Sequence, residues 1–563
     1  MRNREVATML VKIADLLQIK GDNPYKIRAY RKAAESIYHL DEDIAILYEK
    51  GRVREVPGIG DAVAAKVGEI LTTGSCDYYD RLSKEIPAGL LDLLAVPGLG
   101  HKSVKLIYDN LGIDNLDDLL KACQRGEIRN IPGLGVRSEN NIIKGIAEIK
   151  QRSNKTGLGI TLPLARHFVN YLLQSPLITK AAITGSTRRG KEMVSDIDIL
   201  VASNDPATLY DFIKDFPAIR HIEQVEPDLI QGELSPGIEF EVIIVAPSDY
   251  FHSLVWTTGS KEHRERLFAG VDRQDLKALQ SEAEVYARLG MDYIAPELRE
   301  NRGEIEAASA GRLPDLIKLP DIKGDLHMHS NWSDGVERIQ DLVVAARSMG
   351  YEYIAITDHS KSLTISGGLS ADRLEAQGKV IDALNAEATD GFRILKGIEV
   401  DILKTGELDL PDPVLKELDI VVASVHSNFK LDTDEQTQRI IEAAKNEHVD
   451  IIGHLTGRLL SRRSGYEIDV DKIIETCADY RTALEINAHP DRLDIDEHIA
   501  RKAKEYGVKV AINSDAHHRN ELKLMAYGVT TARRGWLETG DVLNALSLDD
   551  LLGALGKGAD TRN

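Results

Sequence analysis

Cysteine is scarce in this 563-residue chain, which holds only Cys76, Cys123 and Cys477. Their wide separation excludes a disulfide framework or a CxxC metal site and predicts a protein of a reducing compartment. No apolar run approaches the ~20 residues that cross a bilayer. The opening residues MRNREVATML lack the apolar stretch of a signal peptide, and low-complexity tracts are missing. These absences predict a soluble, cytoplasmic chain with no membrane partner. What remains is a globular composition, 43% hydrophobic and 28% charged, with length for about three or four domains. The net charge of −20 argues against nucleic acid when taken as a sum. By region it reads differently. Residues 1–155 carry 24 Lys+Arg and 22 Asp+Glu, residues 156–320 carry 17 and 25, and residues 321–563 carry 29 and 43. The front is slightly basic, and most histidines gather in the acidic last region.

Residues 1–150 read as helical. Val6, Met9, Leu10, Ile13, Leu16 and Leu17 follow helix spacing, and Asp22-Asn23-Pro24 is a helix start. One unit recurs there: VPGIGDAVAAKV from Val56, VPGLGHKSVKLI from Val96 and IPGLGVRSENNI from Ile131. The glycines permit tight turns and close backbone approach, and the amides opening the next helix suit a phosphate. The three turns between helices resemble helix-hairpin-helix motifs, which grip nucleic-acid backbone without reading sequence, and that resemblance makes Gly58, Gly60, Gly98, Gly100, Gly133 and Gly135 candidate DNA contacts.

From residue 178 strands alternate with helices. In AAITGSTRRGKEMVSDIDILV, from Ala181, a strand leads into Gly185-Ser186 and a basic helix start with Arg188 and Arg189. Residues two apart on the strand that follows share a face, so Asp196 and Asp198 project together. Two carboxylates beside a Gly-Ser phosphate cradle fit two divalent cations and a triphosphate. The strand GIEFEVIIV supplies Glu239 and Glu241 on one face.

After residue 320 short apolar strands end, one after another, in His, Asp or Glu: His327 and His329, His359, Glu399, His426, His454, Glu485 with Asn487 and His489, and Asp515 with His517. Asp334 follows the first. Such spacing predicts β/α units in a parallel barrel, whose active residues gather at the C-terminal strand ends. More N and O ligands are present than one tetrahedral Zn²⁺ takes, which points to two or three ions.

Residues 1–300 resemble the bacterial and archaeal branch of the family X DNA polymerases, relatives of polymerase β. The resemblance rests on NPYKIRAYRKAAESI, the first hairpin, GSTRRG with SDIDIL, TTGSKEH and YIAPELRENRGEIEAA. It implies Asp196, Asp198 and Glu241 as catalytic ligands of Mg²⁺ or Mn²⁺. It also implies that Gly185, Ser186, Arg189, Gly259 and Ser260 contact the dNTP. Glu241 stands where the family has Asp; the added methylene moves the carboxylate by roughly 1 Å, and a misplaced base costs about 100-fold. Trp256-Thr257 replaces the aromatic pair beside the sugar. Lys66 aligns with the Schiff-base Lys of relatives with 5′-deoxyribose-phosphate lyase activity. Residues 320–563 resemble the PHP (polymerase and histidinol phosphatase) domain through HMHSNWSDG, TDHS, GIEVDI, SVHS, GHLTGR and SDAH. That resemblance implies His327, His329, Asp334, His359, Glu399, His426, His454, Asp515 and His517 as ligands of Mn²⁺ or Zn²⁺, with Glu399 bridging. Arg458 is the candidate phosphate contact.

The expected fold is multidomain: an all-α helix-hairpin-helix region, an α+β nucleotidyltransferase palm and a distorted (β/α)7 PHP barrel. The expected boundaries are a helical 8-kDa-like domain over 1–85 and a second helical DNA-binding domain over 86–155. The palm covers 156–240 and continues to about 247, and a dNTP-binding subdomain covers 248–303. A linker at 304–322 leads to the PHP domain at 323–563. The expected function is DNA repair: gap-filling synthesis joined to a 3′–5′ exonuclease and abasic-site endonuclease. The partners are dNTPs and gapped, nicked or abasic DNA, met by a monomer at the nucleoid. The alternatives are a nuclease whose polymerase half is weak and mainly binds DNA, and a small-molecule phosphatase.

Overall fold

The computed structural model describes residues 3–556 apart from positions 39, 41, 95, 97, 153, 154, 206, 207 and 461. Two compact units result, one of residues 1–154 with 462–464, the other of residues 155–461 with 465–563. Among the described residues no helix is long and apolar enough to cross a membrane.

The first unit is helical. In the helix Asn3–Lys20 the predicted stripe of Val6, Leu10, Ile13, Leu16 and Leu17 is buried. The Asn23 side chain accepts from the Tyr25 amide at 2.9 Å and opens the helix Pro24–Tyr38. The three repeated turns share one geometry. Gly58, Gly98 and Gly133 have φ of +82°, +86° and +90°, where a Cβ is disfavoured. The apolar residues around them, Val56 and Ile59, Val96 and Leu99, Ile131 and Leu134, are buried. A helix leaves each turn: Asp61–Thr73, His101–Leu111 and Val136–Arg152.

Among the described residues the second unit holds three sheets. Thr156–Gly157 (β1) and Met193–Val194 (β3) make a short antiparallel pair. The palm sheet comprises β2 (Ile178–Ile183), β4 (Asp196–Ser203), β5 (Ile219–Glu226), β6 (Leu229–Leu234) and β7 (Ile238–Val245), in the order β2-β4-β7-β6-β5. Only β4 and β7 run parallel. Its core centres on Phe168, stacked on Phe216 with ring centroids 4.4 Å apart and edge-on to Phe240 at 5.5 Å.

The remaining strands are β8 (Gly324–Asp325), β9 (Tyr353–Ile356), β10 (Arg393–Asp401), β11 (Ile420–Ser424), β12 (Ile451–Ile452), β13 (Ala483–Asn487) and β14 (Val510–Asn513). They form one parallel sheet in sequence order, and an isolated bridge from Met328 to Ala516 brings its two edges together, so the barrel is nearly closed. Leu326, Ala355, Leu395, Val422 and Ala511 pack with Leu543 and Leu551 of the C-terminal segment. The alternate residues, such as Ile354, Ile398 and Val421, pack against the surrounding helices. This double burial explains why the strands read as continuous apolar runs.

The segment 304–322, read from sequence as a linker, is packed instead. It contains the helix Glu304–Ser309, and Glu304, Ala308, Leu316, Ile317 and Ile322 are buried. The Glu304 carboxylate lies 2.6 Å from His263 Nδ1, a contact that a polar linker reading could not anticipate.

Candidate active sites

In the palm, register fixes the carboxylates. Asp196 and Asp198 on β4 pair with Glu239 and Glu241 on β7, while Ile197 and Ile199 fill the core. Gly185 lies directly behind: its φ is +57°, and a Cβ there would sit 1.7 Å from Asp198 Oδ2. Only glycine lets the cradle come this close to the carboxylate. Burial pushes Asp198 up to about 7, with Asp196 and Glu241 adding repulsion, while Arg189 and Arg264 oppose. Burial also raises Asp196 and Glu241, the latter with help from Asp196. Three clustered carboxylates that resist joint ionisation suit divalent cations. Glu241 reaches Gln231 Nε2 at 3.3 Å.

Ser186 lies in the one-turn helix Gly185–Arg188. Arg189 donates through Nε to Glu300 at 2.9 Å and through Nη1 to the Thr258 carbonyl at 2.8 Å. Gly259 is equally constrained, since a Cβ would fall 2.7 Å from His263 Cδ2. Ser260 caps the helix Lys261–Leu267 by accepting from the His263 amide at 3.1 Å. Trp256 is held by its own subdomain: the Arg273 guanidinium stands 3.6 Å from its ring centroid, and Phe268 meets it edge-on at 5.4 Å.

In the helical unit, Lys66 is half-buried, donates to the Ala62 carbonyl at 3.0 Å and lies 4.8 Å from the Tyr78 ring centroid. Lys26 donates to the Tyr78 hydroxyl at 2.6 Å, so two ammonium groups share one tyrosine. A Cβ added at Gly60, Gly98, Gly100, Gly133 or Gly135 would meet nothing within 4 Å. Packing does not demand glycine at those five positions.

The strand ends of the barrel converge. Glu399 on β10 is their hub, with His327, His426 and His454 at 3.4, 3.2 and 3.0 Å from Oε1. His359 and His329 stand at 2.6 and 3.7 Å from Oε2. Asp515 Oδ1 lies 3.1 Å from His329 and 3.6 Å from His327, and Asp334 faces His359 at 3.3 Å and His517 at 3.5 Å. All nine ligands predicted from sequence are therefore together. Three overlapping groups have metal-site spacing: His329, Asp334, His359 and His517; His327, His329 and Asp515; His359, Glu399 and His426. Buried His327 Nε2, His359 Nδ1 and Glu399 Oε2 make no hydrogen bond, although His359 Nδ1 and Glu399 Oε2 lie only 2.6 Å apart. Lone-pair atoms turned toward one another in this way fit shared cations. Burial opposes ionisation of Glu399, yet His426, His359 and His327 hold it well below the usual carboxylate range. His454 and Asp515 occupy left-handed backbone, with φ of +25° and +52°, which is strain of the kind found at functional sites.

Sequence reasoning named Glu485 and Asn487 only as strand-end residues and missed Asp401 and the pairing of carboxylates behind the imidazoles. Glu485, buried on β13, lies 2.7 Å from His327 Nδ1 and accepts from Asn513 at 2.9 Å and from the His454 amide at 2.8 Å. Asp401 lies 2.5 Å from His426 Nδ1. Each fixes which imidazole nitrogen faces the centre. Asn487 donates to Asp515 at 2.9 Å, and His489 Nδ1 accepts from the Asp491 amide at 3.2 Å, a turn contact. Arg458 requires correction as a phosphate contact. Its guanidinium donates to Glu192 of the palm at 2.6 Å and to the Arg492 and Leu493 carbonyls, and these acceptors hold it in a buried bridge. Arg492 is the better placed cation, with Nε 3.6 Å from Asp515.

Known proteins repeat this layout. A helix-hairpin-helix domain model matches residues 1–76, a SAM-like helix-hairpin-helix tandem 90–148, a nucleotidyltransferase domain 166–252 and a PHP domain 325–489. The chain is 40% identical to the DNA polymerase/3′-5′ exonuclease PolX of Bacillus subtilis (strain 168) over 570 residues, covering 98% of this chain and 99% of that protein. Over 204 residues it is 36% identical to a probable phosphatase of Thermoanaerobacter sp. (strain X514), covering 34% of this chain and 78% of that one. A probable phosphatase of Enterobacter sp. (strain 638) is 30% identical over 203 residues, covering 34% and 78%.

Proposed function

The chain belongs to the PolX family of DNA polymerases and 3′-5′ exonucleases, and from that premise we propose that it fills short DNA gaps at the palm and removes 3′ nucleotides or opens abasic sites at the barrel. The single observation that carries this reading is the coexistence of two complete carboxylate centres in one chain. One has a glycine cradle behind it, and the other gathers on a barrel rim the nine residues expected as ligands.

At the palm, Asp196, Asp198 and Glu241 hold Mg²⁺ or Mn²⁺, Ser186 and Arg189 bind the triphosphate, and Gly259-Ser260 shapes the nucleotide floor. Raised by burial, Glu241 is suited to take the proton of the primer 3′-hydroxyl. At the barrel, His327, His329, Asp334, His359, Glu399, His426, His454, Asp515 and His517 hold two or three Mn²⁺ or Zn²⁺. Bound cations at either centre supply Lewis-acid activation and neutralise charge building on the phosphate. Arg492 orients the scissile phosphate, and Glu485 and Asp401 keep the imidazoles aimed inward. The open hairpin glycines hold the DNA backbone. Lys66, steadied between Tyr78 and Tyr30, is the group for a 5′-deoxyribose-phosphate lyase step. The chain works on gapped, nicked or abasic DNA in the cytoplasm.

The test is one labelled duplex carrying a gap and an abasic site, incubated with dNTPs and Mn²⁺. Asp196→Ala should lose extension and keep cleavage, and His329→Ala should do the reverse. Loss of both activities in either variant, with the fold intact, would refute the two-centre reading.

A further inference from the structure

The turn between the phosphate cradle and the first palm carboxylate is gripped from the barrel. Arg534 ends the helix Met525–Arg534 and is buried. Its Nη1 donates to the backbone carbonyl of Arg189 at 2.8 Å and to Glu300 Oε1 at 3.1 Å. The same Oε1 accepts from Arg189 Nε at 2.9 Å. Nη2 of Arg534 is anchored by Glu497 at 2.8 Å, and Glu497 also faces Arg302 at 3.5 Å. One turn earlier, Thr530 closes on Gly190, where a Cβ would lie 2.1 Å from Thr530 Cγ2. The barrel helix thus holds Arg189 twice, at its carbonyl and at the carboxylate that orients its guanidinium. Arg189 stands close enough to Asp196 and Asp198 to oppose, by its charge, the shift that burial imposes on both.

We propose that Arg534, although part of the nuclease barrel, is a positioning residue for DNA synthesis, fixing Glu300 and the Arg189 carbonyl and so holding the Arg189 guanidinium, bound through Nε and Nη1, in the place from which it serves the incoming triphosphate. Without Arg534, Glu300 keeps Arg189 and, at 3.6 Å, Lys191. Nothing from the barrel then fixes its oxygen, and the Arg189 carbonyl loses its donor. The cradle loosens while Asp196, Asp198 and Glu241 stay in place, so nucleotide binding suffers more than the chemical step. The inference rests on the reading that Arg189 contacts the triphosphate.

The test uses the full chain, single-nucleotide insertion on gapped duplex with Mg²⁺, and exonuclease rate as a separate readout. Arg534→Met should raise the nucleotide KM about tenfold with kcat changed less than about threefold. The better tolerated Arg534→Lys should give an intermediate KM, and the exonuclease rate should stay within about twofold in both. An unchanged nucleotide KM would overturn the proposal. So would a parallel fall of both activities at constant KM, because a residue that merely holds the fold lowers the active fraction alone. Arg189→Met separates the premises. If it leaves KM unchanged, the triphosphate reading fails. If it raises KM while Arg534→Met does not, the Arg534 proposal alone fails.

Discussion

Replacing Glu485 with Ala should weaken the barrel's grip on its cations without touching a ligand. The buried carboxylate is the acceptor for His327 Nδ1 at 2.7 Å, and it also satisfies Asn513 and the His454 amide. Burial disfavours a charged His327, yet Glu485 together with Asp515 and Glu399 lifts its proton affinity well above the ordinary histidine value. The charge that attracts a proton also makes Nε2 a better ligand, and the hydrogen bond holds the ring in place. Losing such a partner costs about 10–100-fold in metal affinity, or about 1.4–2.8 kcal/mol. The His454 amide and Asn513 lose an acceptor too, which places the expectation toward the upper end. The assay is exonuclease rate against Mn²⁺ concentration in metal-stripped protein, with primer extension as control. The midpoint should move upward by that factor, and high Mn²⁺ should restore the rate. An unchanged midpoint with a lower plateau would refute the reasoning.

Gly185→Ala should cut primer extension more than about 100-fold and spare the exonuclease, because the new Cβ lands 1.7 Å from Asp198 Oδ2; single-nucleotide insertion measures it. Asp198, raised to about 7, sets a pH dependence. Its folded proton affinity exceeds the unfolded one, so the cation-free fold loses stability as pH rises from about 4 through 7, by at most about 4 kcal/mol. Cation binding must displace that proton, so the Mg²⁺ midpoint for thermal stabilisation should fall about fivefold between pH 6 and 7 and level off above about pH 8. Asp198→Asn should abolish the slope, and a flat midpoint in the unaltered protein would contradict the assignment. Glu241→Asp should raise the insertion rate about tenfold or more if the extra methylene misplaces the carboxylate; a fall would show that the glutamate is already well placed.

The convergence of the barrel residues was legible because all but Asp334, which follows in a turn, lie at or just past strand ends, and strand ends on one rim must converge. The palm carboxylates were legible because a strand repeats every two residues. Arg458 was not legible: its acceptor Glu192 lies 266 residues away, and nothing local separates a bridging arginine from one awaiting a phosphate. Glu485 and Asp401 sit on strands already identified, but a carboxylate behind an imidazole shows only once its neighbour's ring is placed. The 304–322 segment was misjudged for the same reason, since the burial of Glu304 depends on His263, 41 residues earlier.

The palm and the barrel share one compact unit, tied by Arg458 to Glu192, Arg534 to Glu300 and Arg533 to Glu297. Buried or half-buried charge pairs of this kind are costly to separate. A hinge that swung one centre toward the other would have to break them. A DNA 3′ end used at both centres would therefore have to be carried from one to the other, not met by a swing of the palm against the barrel.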